Sequence, residues 1–154
     1  MRVLLAGGAG YIGSHCLRAL QRAGHEAVVF DDLSAGRADL VRDAELVQGD
    51  VCDPNAVSDV LRSRGPFDGV LHFAALISVS ESVADPERYF RNNTGGSETL
   101  LGAALAQGVR VFVLSSTAAV YGHPELQPIP ETKTICSLGM PSSGITFCIC
   151  ARIA

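Results

Sequence analysis

Tryptophan is missing from this chain, lysine occurs once, at Lys133, and aromatic residues make up only 6% of the 154 positions. Positive charge is also scarce. Lys and Arg number 12 against 16 Asp and Glu, a formal net charge of -4. That balance leaves no electrostatic footprint for nucleic acid or for an anionic membrane surface. No stretch reaches the roughly 18 apolar residues that a membrane span needs. The opening run Val3-Leu4-Leu5-Ala6 is too short for the core of a secretion signal, so the expected location is cytoplasmic. There is no Cys-x-x-Cys pair among Cys16, Cys52, Cys136, Cys148 and Cys150. Neither a disulfide framework nor a metal site is expected. Cys16 and Cys52 sit in apolar surroundings and read as small buried hydrophobes.

What is present is a regular alternation. Arg2–Ala6, Glu26–Phe30, Glu45–Gln48, Asp68–Phe73 and Arg110–Leu114 are short runs, mostly apolar throughout. They read as strands covered on both faces. Between them, Tyr11–Ala23 carries apolar residues at helical spacing and ends at Gly24. Pro54–Arg64 opens with proline in its first turn, and Glu87–Gln107 reads as one long helix ended by Gly108. Strands separated by helices imply right-handed crossovers and a parallel sheet. The expected class is therefore α/β, a Rossmann-like doubly wound sheet with strand order 3-2-1-4-5. Three prolines (Pro124, Pro128 and Pro130) make a loop, and from Lys133 onward neither helical nor strand periodicity is clear.

Gly7-Gly8-Ala9-Gly10-Tyr11-Ile12-Gly13 follows the first strand and opens a helix. In such a turn one glycine permits the tight reversal, another lets a pyrophosphate approach the backbone, and the third lets helix and strand pack closely. The helix N-terminus offers N–H groups and a positive dipole end. An ordinary strand-to-helix turn has the same look. The second strand adds to the signal: it ends at Asp31, about twenty residues past the motif, where a carboxylate holds a ribose 2′-hydroxyl. Asp32 stands beside it. A 2′-phosphate would meet two negative charges, so NAD is expected over NADP, with Arg37 the one nearby cation. A loop-capping acid remains the other reading of Asp31.

These residues resemble the UDP-glucose 4-epimerases of the extended short-chain dehydrogenase/reductase family. Gly7 to His15 looks like that family's N-terminal signature. Asp31-Asp32-Leu33-Ser34-Ala35-Gly36 is similar to its adenosine-binding turn, with Asp32 where Asn is usual. Gly49-Asp50-Val51, His72-Phe73-Ala74-Ala75, Val79-Ser80-Glu81-Ser82 with Pro86, Tyr89-x-x-Asn92-Asn93, and Ser115-Ser116-Thr117-Ala118-Ala119-Val120-Tyr121-Gly122 follow in the family's order over about residues 2–131. The resemblance implies that NAD is bound by Gly7, Gly10, Tyr11, Ile12, Gly13, Asp31, Asp32, Ser34, Gly36, Asp50, Val51, Phe73, Ala74, Ala75, Asn93 and Ser115. It implies that Ser80, Glu81, Ser82 and Thr117 meet the UDP-sugar, with Thr117 touching the reacting hydroxyl. Some members carry a cofactor-contacting Lys where this chain has Ile77. The family often forms homodimers through helices that include the long one. Read by themselves, His72 is a satisfied core histidine, Tyr89 and Phe90 are packing, Ser115 and Ser116 are strand-end hydroxyls, and Glu81 is a solvated or capping acid.

The implied reaction interconverts UDP-glucose and UDP-galactose through a transient 4-keto sugar. Its base is a Tyr, whose ordinary pKa is about 10, lowered by a Lys four residues on. Counting from Gly122, those two positions hold Ser142 and Thr146. A serine hydroxyl without a neighbouring base is a poor proton acceptor. An NAD-binding module without catalysis, or another NAD-dependent UDP-sugar epimerase or dehydratase, is therefore the alternative. The expected organisation is an incomplete NAD-binding domain over residues 1–132, followed by an aberrant tail over 133–154. A reading-frame shift near Lys133, a deliberately shortened chain and a natural short paralogue would each give such a tail. On this reading the sheet stops before a sixth strand and a substrate domain, which leaves the fifth strand as an open edge.

Overall fold

A computed structural model describes residues 1–116, residue 128 and the backbone of residues 146–150. Strands β1 (Arg2–Ala6), β2 (Glu26–Asp31), β3 (Glu45–Gln48), β4 (Gly69–His72), β5 (Val111–Ser115) and β6 (Thr146–Cys150) form one sheet in the order β3-β2-β1-β4-β5-β6. All pairings are parallel. The expected 3-2-1-4-5 order is present.

The sheet does not stop at β5. Strand β6 pairs along the whole of it, from Val111 opposite Thr146 to Ser115 opposite Cys150. The expected open edge at β5 is therefore corrected. The run Thr146-Phe147-Cys148-Ile149-Cys150 is rich in β-branched and aromatic residues. It is apolar at nearly every position, so it carries no alternation by which to recognise it.

Side chains alternate across β1 and β2 and find two separate apolar layers. Leu4, Ala6, Val28 and Phe30 join Val57, Val60 and Leu61 of α2 (Pro54–Arg64), together with Leu100, Ala104 and Phe112. Val3, Leu5, Ala27 and Val29 face the other way, onto Leu17 of α1 (Tyr11–Arg22) and Val41. Both faces of the central strands β1 and β2 are thus covered, which leaves the C-terminal ends of the strands as the place for a ligand.

The expected long helix is three pieces. After α3 (Val79–Ala84), α4 spans Pro86–Tyr89, a π-helical segment spans Phe90–Gly95, and α5 spans Gly96–Ala106. The widened turn is where the paired glycines Gly95 and Gly96 fall. A Cβ at Gly96 would sit 2.8 Å from the Val51 side chain, so only glycine lets α5 approach there. Helix α3 went unread in the sequence, although Ser78 and Glu81 have the S-x-x-E spacing of a helix start. The Ser78 hydroxyl accepts from the Glu81 N–H at 3.4 Å.

Candidate functional site

The cleft lies at the C-terminal ends of β1, β2 and β4, and its floor is the glycine turn. The three glycines do different work. Gly7 has φ +79, and a Cβ there would lie 2.4 Å from the Ala74 backbone nitrogen. Gly13 presses α1 against the turn: its Cβ would stand 2.2 Å from the Gly7 carbonyl oxygen. Gly10 differs, because a Cβ there would meet only the Gly7 oxygen, at 3.4 Å, and otherwise open space on the cleft side. Gly10 is also the N-cap of α1, with no side-chain cap and no acid in the first turn. The helix start thus presents uncapped N–H groups beside an opening that a glycine leaves clear. That arrangement suits a pyrophosphate.

Asp31 at the end of β2 is buried and lines the cleft. Its Oδ2 accepts from the Ala9 N–H and its Oδ1 from the Leu33 N–H, each at 2.9 Å. It thus caps the loop, and it also borders the cleft with one lone pair on each oxygen still to spare. Leu33 takes a left-handed backbone, φ 62, within this turn. Gly36 must be small, since a Cβ there would come within 2.7 Å of Asp31 Oδ1. Asp32 accepts from both the N–H and the hydroxyl of Ser34, at 2.9 and 2.7 Å. Arg37 does not face these acids. Its guanidinium makes two hydrogen bonds to Asp39, at 3.0 and 2.8 Å. That bonding raises the Arg37 pKa and lowers that of Asp39. Asp50 and Val51 complete this end, with Asp50 Oδ1 accepting from the Cys52 N–H at 2.8 Å.

The opposite wall is Phe73, Ala74, Ala75 and Leu76, which follow directly on β4. Asn93 of the π-helical segment fastens it: its Oδ1 accepts from the Leu76 N–H and its Nδ2 donates to the Leu76 carbonyl, both at 2.9 Å. Asn92 donates to Asn93 Oδ1 at 2.9 Å and itself lines the cleft. His72, 1% exposed, is buried in the core as its strand-end position suggested, but among the described residues only its Nε2 has a partner, so it is not fully satisfied. Burial pushes its pKa down from 6.5 to about 4, so the ring is neutral at pH 7.

Sequence reasoning missed Phe30, Ala35, Gly49, Leu76 and Asn92 as lining residues. All five adjoin a residue that was named, Phe30 standing directly before Asp31. Among the named ones, Gly13 is packed inside, and Tyr11 and Ile12 are exposed on α1, with the Tyr11 ring against His15 at 4.9 Å. Asn93 braces the wall without lining it, and Ser115 closes β5, half-buried. Ser80, Glu81 and Ser82 form a surface group on α3. There Glu81 accepts from the Tyr89 hydroxyl at 3.3 Å, the Tyr89 oxygen accepts from the Ser78 N–H at 3.0 Å, and the Ser82 hydroxyl donates to the Val79 carbonyl at 2.8 Å. They stand apart from the residues that line the cleft. Thr117 and Ser142 lie outside the described residues, and Thr146 opens β6. Cys16 and Cys52 are free thiols, half-buried; desolvation raises both pKa values, and Asp50 adds to the rise at Cys52. Among the described residues no cluster of His, Cys, Asp and Glu could hold a metal, and no helix is long and apolar enough to cross a membrane.

Residues 3–143 match the NAD dependent epimerase/dehydratase family. A UDP-glucose 4-epimerase of Azospirillum brasilense is 54% identical over 131 residues, which cover 84% of this chain and 37% of that protein. The fold is similar to a UDP-glucose 4-epimerase from Brucella ovis solved in complex with NAD, with TM-score 0.78 and 42% identity over 84% of this chain and 40% of that one. It is also similar to one from Stenotrophomonas maltophila with bound NAD and formylated UDP-arabinopyranose, with TM-score 0.80 and 42% identity over 88% of this chain and 43% of that one. The chain thus spans about two fifths of the length of these relatives.

Proposed function

Because the chain belongs to the NAD dependent epimerase/dehydratase family, we propose that its cleft holds NAD and that it supplies the dinucleotide-binding part of a UDP-glucose 4-epimerase. The observation that carries this reading is Gly10: an uncapped helix start opening on the cleft, with Asp31 bordering the same cleft. In this reading the turn Gly7 to Gly13 and the first N–H groups of α1, at Tyr11 and Ile12, hold the pyrophosphate. The spare lone pairs of Asp31 take the adenosine ribose hydroxyls. Asp32, Ser34 and Gly36 shape that turn, and Asp50 with Val51 meets the adenine. Phe73, Ala74 and Ala75 run along the cofactor towards the nicotinamide, with Asn93 and Ser115 bracing that end. Bound NAD would supply reversible hydride transfer at the sugar's C4. The UDP-sugar is the proposed partner of Ser80, Glu81, Ser82 and Thr117. Residues 1–132 are the proposed cofactor-binding unit, in a cytoplasmic protein able to pair with a second copy through the helices near α5.

Two acids and a diverted arginine favour NAD over NADP: Asp31 and Asp32 border the adenosine end, and Arg37 is bonded to Asp39. A second reading has its own support. Ser142 and Thr146 stand where a Tyr base and its Lys partner would be needed, and Thr146 begins a strand rather than lying on a helix. In that reading the chain binds NAD without turning over a sugar. Thermal melting with NAD and NADP tests the cofactor: a saturable rise with NAD, larger than with NADP, is expected. No rise at millimolar NAD would overturn the assignment. An assay of UDP-galactose conversion by the same protein separates the two readings.

A further inference from the structure

The wall of the cleft is held by a chain of hydrogen bonds that runs from the last residue of β4 to the loop that follows it. The Ser97 hydroxyl donates to the Asn93 carbonyl, four residues back, at 2.6 Å. A serine has one hydroxyl proton, so the 2.8 Å contact between Ser97 Oγ and His72 Nε2 must be donated by the imidazole. This fixes the tautomer: Nε2 carries the proton and Nδ1 is the bare nitrogen, buried and without a partner among the described residues. Asn93 then grips Leu76 at both its N–H and its carbonyl. His72 and Leu76 bracket Phe73-Ala74-Ala75, so the chain His72, Ser97, Asn93, Leu76 closes around the three residues that face the cleft. Ala74 is also the residue on which Gly7 presses. A shift of a few tenths of an ångström in this loop would reach the glycine turn directly.

We infer that His72 and Ser97 are positioning residues for the dinucleotide cleft, acting through Asn93 to set the path of Phe73–Leu76. Neither touches the proposed cofactor, and the inference rests on the NAD reading only for its effect on affinity. The bonds themselves are independent of any ligand. The widened π-helical turn fits this role, since such turns recur where a helix is bent to serve a site. A hydroxyl that bonds back to the carbonyl four residues earlier is a known way to shape one.

Amide hydrogen exchange on the full chain tests the inference without a cofactor. Ser97→Ala should speed exchange at the Leu76 N–H by about tenfold, while the Leu4 and Val28 amides of the central strands keep their protection. Ser97→Thr retains the hydroxyl and should restore the slow rate. His72→Gln can place an N–H where Nε2–H stands and should match Ser97→Thr, whereas His72→Leu should match Ser97→Ala. NAD affinity should fall by about fivefold to tenfold in the same two impaired variants. Unchanged Leu76 exchange in Ser97→Ala overturns the inference. So does equal loss in the Ala and Thr variants, or loss shared by Leu4 and Val28, because the hydroxyl would then hold the fold rather than the wall. Failure of the unaltered chain to bind NAD overturns the cofactor assignment alone and leaves the exchange result to decide this one.

Discussion

The two sides of the cleft are built by different means. On the β1–α1 side the shape is set by backbone: Gly7 in a left-handed conformation, Gly13 against a carbonyl, Gly10 open. On the β4 side it is set by side chains drawn from three elements: His72 is 25 residues from Ser97, which lies four residues beyond Asn93, which in turn is 17 from Leu76. A backbone constraint can be satisfied by one residue type at one spacing, so it leaves a motif. A side-chain circuit can be closed by several residue combinations, and its members show no common spacing. The first side should therefore break under a single methyl group, and the second should yield gradually.

The largest expected effect follows on the glycine side. Gly13→Ala puts a methyl 2.2 Å from one backbone atom and 2.7 Å from another, with no flexible side chain to give way. A loss of about 4 kcal/mol in urea unfolding is expected, the size reserved for a clash that cannot relax. Gly10→Ala is the companion. Its methyl meets one oxygen at ordinary contact distance, 3.4 Å. The fold should lose only about 1 kcal/mol, the cap preference for Gly over Ala, while NAD affinity drops by about tenfold or more. If Gly10→Ala binds NAD as the parent does, the distinction between packing glycine and ligand glycine fails.

On the other side the handle is pH. The ordinary His pKa is 6.5, and burial lowers that of His72 to about 4. Between these values the unfolded chain holds a proton that the folded chain does not. Stability therefore rises with pH across this window: the contribution is fully present above 6.5 and is lost as pH falls through 4. Its size is about 3 kcal/mol. Among the described residues no carboxylate offsets it, since burial is the cause of the shift, and the Phe112 ring lies edge-on to the imidazole. Urea titrations at pH 7 and pH 4 on the parent and on His72→Gln give the difference. A parent curve no steeper than that of the variant would show that the ring is protonated in place.

How much was legible in the sequence follows the same divide. The strands β1 to β5, the glycine turn and Asp31 were readable because each carries a local signature: an apolar run, a spacing, a carboxylate at a strand end. The π-helical segment was not. Helical periodicity continues through Phe90–Gly95, and the widened turn depends on Gly96 packing against Val51 from a distant loop. Helix α3 could have been found from Ser78 and Glu81, but six residues are too few for a periodic signal. The second role of Asp31, bonding Ala9 across 22 residues, cannot be seen from its own neighbourhood. Leu76 was passed over because it stands beside a motif, and Asn92 because the resemblance gives the role in its motif to Asn93; only the fold turns them towards the cleft.

The smallest expected effect concerns the acid end and cofactor choice. Arg37 is the cation near this end, but it is bonded to Asp39 through both Nε and Nη2. Arg37→Ala should therefore leave NAD affinity within about twofold of the parent, since an exposed pair of this kind contributes little. Asp39→Ala is the sharper variant. It frees the guanidinium beside Ala35 and Gly36, which border the cleft. NADP affinity should then rise by about threefold, and the rise should fade in high salt, because an exposed charge acts through a screened field. Melting shifts with each dinucleotide at low and at high ionic strength give both numbers. A fall in NADP affinity with Arg37→Ala itself would mean that the arginine already faces the cleft, and that the acids alone do not set the preference.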